Sequence, residues 1–183
     1  MPAALESGSE YILFFGRISA YKGLGLLLEA MQQVWEQYPH EKLLIAGGGA
    51  DDALLAHPLL TGKDERVIFH NRFIPAEELS AIISRAKFVV CPYTDATQSG
   101  VLVSSFALNK PVLATNVGAF SEQLEDSVTG KLIPSATVGA VADTILYALK
   151  DERYKQWEQQ LREEAKQNKW ELNGQQLMLA YNN

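Results

Sequence analysis

The run Tyr11-Ile12-Leu13-Phe14-Phe15-Gly16-Arg17-Ile18-Ser19-Ala20-Tyr21-Lys22-Gly23, continuing into Leu24-Gly25-Leu26-Leu27-Leu28-Glu29-Ala30-Met31, decides the fold. Five consecutive apolar residues with no polar alternate read as a strand buried on both faces. Gly16 ends it. Beyond the loop, Leu24, Leu27, Leu28, Met31 and Val34 recur at helical spacing and Pro39 closes the segment, so a helix is predicted over residues 23–38. A buried strand that leads through a short loop into an amphipathic helix is one unit of parallel α/β architecture.

The unit repeats along the chain. Short apolar strands are predicted at 43–46, 67–69, 88–91, 112–114 and 130–133, and helices at 50–60 (interrupted by Pro58), 75–85, 99–108, 120–125 and 137–150. Pro75 is placed in the first turn of its helix. The expected fold class is α/β: a doubly wound, mainly six-stranded parallel sheet with helices on both faces, Rossmann-like, with C-terminal helices appended. Residues 1–150 are expected to form the binding domain. Residues 151–183 form a charged helical extension packed on the same domain, with a break near Asn173-Gly174. In this architecture ligands sit beyond the carboxyl ends of the strands, so each loop after a strand is a candidate site.

Composition narrows the function classes. The 183 residues are 47% apolar and 21% charged, an ordinary balance for a globular domain. Sixteen Lys and Arg against 22 Asp and Glu leave a net charge of −6, which argues against a broad nucleic-acid footprint. A local positive pocket is still compatible with that charge. The single cysteine, Cys91, lies in an apolar strand and fits a small buried hydrophobe in a reducing, cytoplasmic setting. The first ten residues carry no leader pattern, and no apolar run reaches the roughly 20 residues that span a bilayer. His40, His57 and His70 show no metal-ligand spacing, so no metal is expected.

The loop 16–23 carries two cations, Arg17 and Lys22, beside the start of a helix whose free N–H groups and dipole already favour an anion. Arginine offers a planar fork to phosphate oxygens and lysine a compact charge, while Gly16 and Gly23 permit close backbone approach. Two solvated surface cations are the plainer reading of the same residues. Gly47-Gly48-Gly49 ends the second strand, either as a tight turn or in contact with a ligand. No G-x-G-x-x-G comes after the first strand, which weighs against a dinucleotide-binding dehydrogenase.

Phe15-Gly16-Arg17, Tyr21-Lys22-Gly23 and Leu27-Leu28-Glu29-Ala30 together resemble the opening of the C-terminal domain of retaining glycosyltransferases of family 4, one lobe of the two-lobed GT-B fold. The resemblance continues through Leu44-Ile45-Ala46-Gly47-Gly48-Gly49 and 67–79 to Thr129-Gly130-Lys131-Leu132-Ile133-Pro134. It extends to the terminal helices around Trp170 and Leu177-Met178-Leu179-Ala180-Tyr181. It implies that Arg17 and Lys22 bind the donor diphosphate and stabilise the leaving nucleoside diphosphate. It also implies that Arg72, Phe73 and Ile74 bracket the base. The implied ligand is a nucleoside-diphosphate sugar, such as a UDP- or GDP-sugar, with no other cofactor. The implied partner is an N-terminal lobe carrying the acceptor site, with peripheral membrane contact open to the whole protein.

One segment departs from the family pattern. Where family members carry two glutamates separated by seven residues, this chain places Ala96 and Ser104, or Thr97 and Ser105 if the register shifts by one. Thr97, Gln98, Ser99, Gly100, Val101 and Ser104 are therefore the candidates for the sugar and ribose, with Ser104 on the ribose hydroxyls. An ordinary Ser/Thr helix cap explains the same residues. A domain that has lost catalysis and keeps a nucleotide- or partner-binding role is the alternative. Asp95, the only carboxylate of that loop, reads as a sugar acceptor or a turn residue. Glu122 reads as a positioning group or a helix-start glutamate, and His70 as a structural histidine.

Overall fold

The computed structural model describes residues 10–49, 52–62, 64–95 and 100–166. Strands β1 (Tyr11–Phe15), β2 (Leu43–Ala46), β3 (Val67–His70), β4 (Ala86–Cys91), β5 (Val112–Thr115) and β6 (Gly130–Ile133) form one sheet. Its order is β3-β2-β1-β4-β5-β6 and all of its pairings are parallel. The doubly wound sheet expected from the sequence is the fold observed. Chain order reverses between β1 and β4, and in this architecture the crevice beyond the carboxyl ends at such a reversal is the usual ligand site.

Alternate residues of each strand feed two separate cores. Ile12 and Phe14 of β1, Leu43 and Ile45 of β2, and Phe88 and Val90 of β4 point into one layer. There they meet α1 (Leu24–Gln37) and α7 (Val138–Leu149), which pack on each other. Tyr11, Leu13 and Phe15, with Leu44, Val89 and Cys91, point into the other layer. That side is covered by α4 (Ala76–Ser84), α5 (Gly100–Ala107) and α6 (Phe120–Gln123). Covering on both faces is why β1 and β2 are built of apolar and aromatic residues throughout.

The helix expected over 50–60 is instead two short helices, α2 (Asp52–Leu55) and α3 (Pro58–Thr61). The reason is Pro58. It lacks an N–H and cannot sit inside a helix, but it suits a first turn, and His57 caps α3 by accepting the Leu59 N–H through Nδ1 at 3.2 Å. Pro75 similarly stands just before α4, as its cap. A 3₁₀ turn, Ala20–Lys22, lies inside the loop after β1 and was not foreseen.

After a second 3₁₀ turn (Lys150–Glu152), α8 (Arg153–Lys166) joins the two layers. Its Tyr154 and Trp157 belong to the first core and its Leu161 to the second. The crossing is locked by Glu158, which pairs with Lys110 just ahead of β5 at 3.1 Å, the two side chains being 14% and 7% exposed. The tail that carries Trp170, Asn173-Gly174 and Leu177 to Tyr181 lies outside the described residues. Removing one partner of a buried pair strands the other charge. Glu158→Ala is therefore expected to lower unfolding stability by about 3 kcal/mol, read from urea denaturation, with most of the loss recovered when Lys110→Met is added.

Candidate functional site

The loops after β1, β2, β3 and β4 are laced together by their backbones. The Gly16 N–H donates to the Ala46 carbonyl, the Ile18 N–H to Gly48 (both 2.9 Å), and the Gly47 N–H to His70 at 3.0 Å. This lacing needs glycine at Gly47, where φ is 149° and a Cβ would run into the Gly16 carbonyl oxygen. It needs glycine again at Gly23, which has φ 68°, caps the 3₁₀ turn and faces the Pro92 carbonyl so closely that no Cβ fits. The Thr94 N–H donates to the Tyr21 carbonyl at 2.8 Å, tying the β4 loop to the same turn. Thr94 and Tyr21 thus join the described part of the β4 loop to the β1 loop.

The 3₁₀ turn sets the two cations differently. Arg17 is exposed at the mouth. Lys22 is turned inward, 9% exposed, with Nζ over the Tyr93 ring at 5.4 Å from its centroid. A Cβ added to Gly16 would stand 2.8 Å from Nζ and 3.5 Å from Val101 Cγ2, so the ammonium occupies the space between Gly16 and the start of α5. Burial pushes the Lys22 pKa below its ordinary value, an effect opposed by Cys91. The Cys91 thiol is itself pushed up to about 12 by burial and is uncharged at neutral pH. Among the described residues no carboxylate forms an ion pair with Arg17 or Lys22.

Arg17 shares one pocket of about 280 Å³ with Gly16, Gly47 and Gly48 on one side and with Arg72, Phe73 and Ile74 on the other. The structure thereby brings Gly16 and Arg17 of the phosphate candidates together with the candidate base residues, whereas Lys22 does not line this pocket. Their side chains differ in freedom. The Arg72 guanidinium is held by both carboxylate oxygens of Glu78 in the first turn of α4 and donates to the Phe73 carbonyl at 3.1 Å. That pairing raises the Arg72 pKa and holds the Glu78 carboxyl below its usual range. Arg72 therefore braces the loop, while the Phe73 ring is 75% exposed and Ile74 is buried beneath it. Burial lowers the pKa of His70, which ends β3 below this pocket.

Across the crevice, Gly100 is the first residue of α5, Val101 is buried, and Ser104 lies half-buried one turn further on. Ala96, Thr97, Gln98 and Ser99 lie outside the described residues. Ser105, the ribose candidate of the shifted register, is fully buried with its hydroxyl spent on the Val101 carbonyl at 2.7 Å. Glu122 is exposed on α6. Among the described residues no group of three or more His, Cys, Asp or Glu could hold a metal ion. Nor is any described helix long and apolar enough to cross a membrane.

Sequence reading missed Thr115 and Tyr93. Thr115 Oγ1 donates to the Tyr93 carbonyl at 2.5 Å, fixing the turn after β4. A threonine at the carboxyl end of a buried strand, where an apolar residue would serve the core equally well, was the available signal. Tyr93 showed itself only as an aromatic beside a proline.

The model of the family described as glycosyl transferases group 1 matches residues 9–151 of this chain. The chain is 32% identical over 152 residues to the phosphatidyl-myo-inositol mannosyltransferase of Mycobacterium tuberculosis H37Rv, covering 77% of this chain and 38% of that protein. Among solved structures it is similar in fold to the C-terminal domain of the group 1 glycosyl transferase LpcC from Francisella tularensis. The TM-score is 0.72 at 23% identity, covering 85% of this chain and 84% of that domain. HepE of Anabaena, solved in complex with UDP-glucose, matches with a TM-score of 0.72 at 18% identity, over 94% of this chain and 49% of HepE. The chain thus spans well under half of the mannosyltransferase, and its fold is that of one Rossmann-like lobe of a GT-B enzyme. It belongs to the group 1 glycosyl transferases.

Proposed function

We propose that this chain is the donor-binding lobe of a retaining glycosyltransferase, holding a nucleoside-diphosphate sugar in the crevice between β1 and β4. The observation that carries this reading is Lys22: a buried ammonium beside Gly16, with no carboxylate partner among the described residues. A buried charge left unpaired by the fold is costly, and an anionic ligand is what would offset that cost. Arg17 at the mouth supplies a second, planar donor to the same diphosphate.

In this reading the base enters the pocket of about 280 Å³ bordered by Arg72, Phe73 and Ile74. The ribose and sugar lie toward Gly100, Val101 and Ser104, and toward the loop carrying Thr97, Gln98 and Ser99. When the bond between the anomeric carbon and the phosphate oxygen breaks, negative charge grows on the departing diphosphate. Arg17 and Lys22 are already in place to receive it, so they stabilise the transition state more than the ground state. The donor is a nucleoside-diphosphate sugar such as a UDP- or GDP-sugar, and the UDP-glucose held by HepE supports the UDP type. The acceptor comes with an N-terminal lobe, in a cytoplasmic setting.

Each of Arg17→Ala and Lys22→Ala is expected to weaken nucleoside-diphosphate binding at least tenfold by calorimetry, about 1.4 kcal/mol or more. Unchanged affinity in both variants would sink the proposal.

A second reading, a nucleotide- or partner-binding module without catalysis, is favoured by one observation. Ala96 and Ser104 stand where family members carry glutamates, and neither can accept a proton or hold a ribose as a carboxylate does. The two readings separate when the chain is joined to an N-terminal lobe. A transferase then releases nucleoside diphosphate from its donor sugar, whereas a binding module takes up the donor and leaves it intact.

A further inference from the structure

An ammonium buried as deeply as Lys22 ordinarily acquires an aspartate or glutamate partner. At this site such a partner would cancel the charge that a diphosphate needs. What stands beside Lys22 instead is the ring of Tyr93, 5.4 Å from Nζ to the centroid, within the range at which a cation is attracted to an aromatic face. The ring cannot turn freely. It is 3% exposed, meets Phe120 edge-on at 5.3 Å and Tyr21 edge-on at 5.9 Å, and its backbone carbonyl accepts from Thr115 Oγ1. Three elements therefore agree on its orientation: the 3₁₀ turn, the end of β5 and the start of α6.

We infer that Tyr93 is a positioning residue for Lys22, whose ring holds the ammonium against Gly16 without neutralising it, so that the charge stays available to an anionic oxygen. The inference rests on reading this crevice as the diphosphate site. The physical distinction is between a quadrupole and a counter-ion. A carboxylate forms an ion pair that the ligand must break, whereas an aromatic face offsets part of the desolvation and leaves the N–H donors free to swing to phosphate.

Among the described residues the groups facing Lys22 are few. From β4 comes the Cys91 thiol, neutral because burial raises its pKa to about 12. After β4 comes Tyr93, and from α5 the apolar Val101. Arg17 and Tyr21 belong to Lys22's own loop, and no described carboxylate pairs with it. Burial sets the Lys22 pKa below its ordinary value, so diphosphate affinity falls as pH rises through that lowered pKa. Losing the ring removes a stabiliser of the charged form, and the alkaline limb moves to lower pH.

The test measures UDP and GDP affinity of the whole chain against pH for the unsubstituted protein, Tyr93→Leu and Tyr93→Phe. Tyr93→Leu is expected to bind about fivefold more weakly at pH 8, with its alkaline limb displaced downward, while Tyr93→Phe keeps both affinity and limb. An unmoved limb in Tyr93→Leu, or an equal displacement in Tyr93→Phe, overturns the inference. A second measurement needs no variant: in ligand-free protein the Lys22 ε-methylene protons are expected upfield of the other lysines through the Tyr93 ring current. Their absence from that region overturns it as well. If the ring-current signal is present but Lys22→Ala binds nucleotide normally, the diphosphate reading fails and the Tyr93–Lys22 contact stands.

Discussion

Two backbone carbonyl oxygens stand where side chains would begin at the mouth of the sheet, and the crevice depends on those two contacts. The Gly16 carbonyl fills the Cβ position of Gly47, and the Pro92 carbonyl fills that of Gly23. Both glycines also sit at positive φ, where a side chain is strained irrespective of space. Loops that could otherwise move separately are drawn into one surface, with the β1 loop clamped between those of β2 and β4. On the reading proposed above, such a surface would hold Lys22 for leaving-group stabilisation, where misplacement by an ångström can forfeit most of the benefit.

The distribution of charge over this frame explains how an acidic chain keeps a positive site. Arg66, Arg72, Lys87, Lys110 and Lys131 are all spent on carboxylates, and they secure loops, helix starts and the crossing of α8. Arg17 and Lys22 are held at the crevice by backbone geometry, and Lys22 also by an aromatic ring. Net charge consequently says little about the ligand. What matters is where the cations sit, and burial, which lowers the Lys22 pKa, marks the cost in solvation of placing one there.

The layering was legible in sequence because its cause is local. Uninterrupted apolar strands such as Tyr11–Phe15 can only be covered on both faces, and the apolar spacing from Leu24 to Val34 left helix as the one reading of the next segment. Arg17, Lys22 and the 72–74 segment were legible as a set through family resemblance, and the structure does gather Arg17 with Arg72, Phe73 and Ile74 in one pocket. Other features were not legible because they depend on distant partners. Pro58 was seen to disturb a helix, but whether it ended one or began one was decided by His57 capping the next. The inward turn of Lys22 required a 3₁₀ turn closed by Gly23 against Pro92, two residues far apart in the chain. Engagement of Arg72 by Glu78 was equally invisible, because a loop arginine and a helix-start glutamate each have many other uses.

The exposed aromatic rings at the mouth bear on what one lobe can do alone. Phe73, 75% exposed, lines the same pocket as Arg17, and Tyr21, 48% exposed, lies in the 3₁₀ turn of the same loop as Arg17. Large apolar rings beside a charged slot are wasted in water and useful once something covers them. In an open crevice, water competes for each phosphate oxygen and weakens the two cations through its dielectric. Covering the crevice with a second lobe strengthens those same interactions and excludes water from the anomeric carbon. On the reading proposed above, the lobe by itself supplies affinity for a diphosphate. On that same reading, the excess stabilisation that separates a transition state from a bound donor would arise as an acceptor side closed over Arg17 and Lys22.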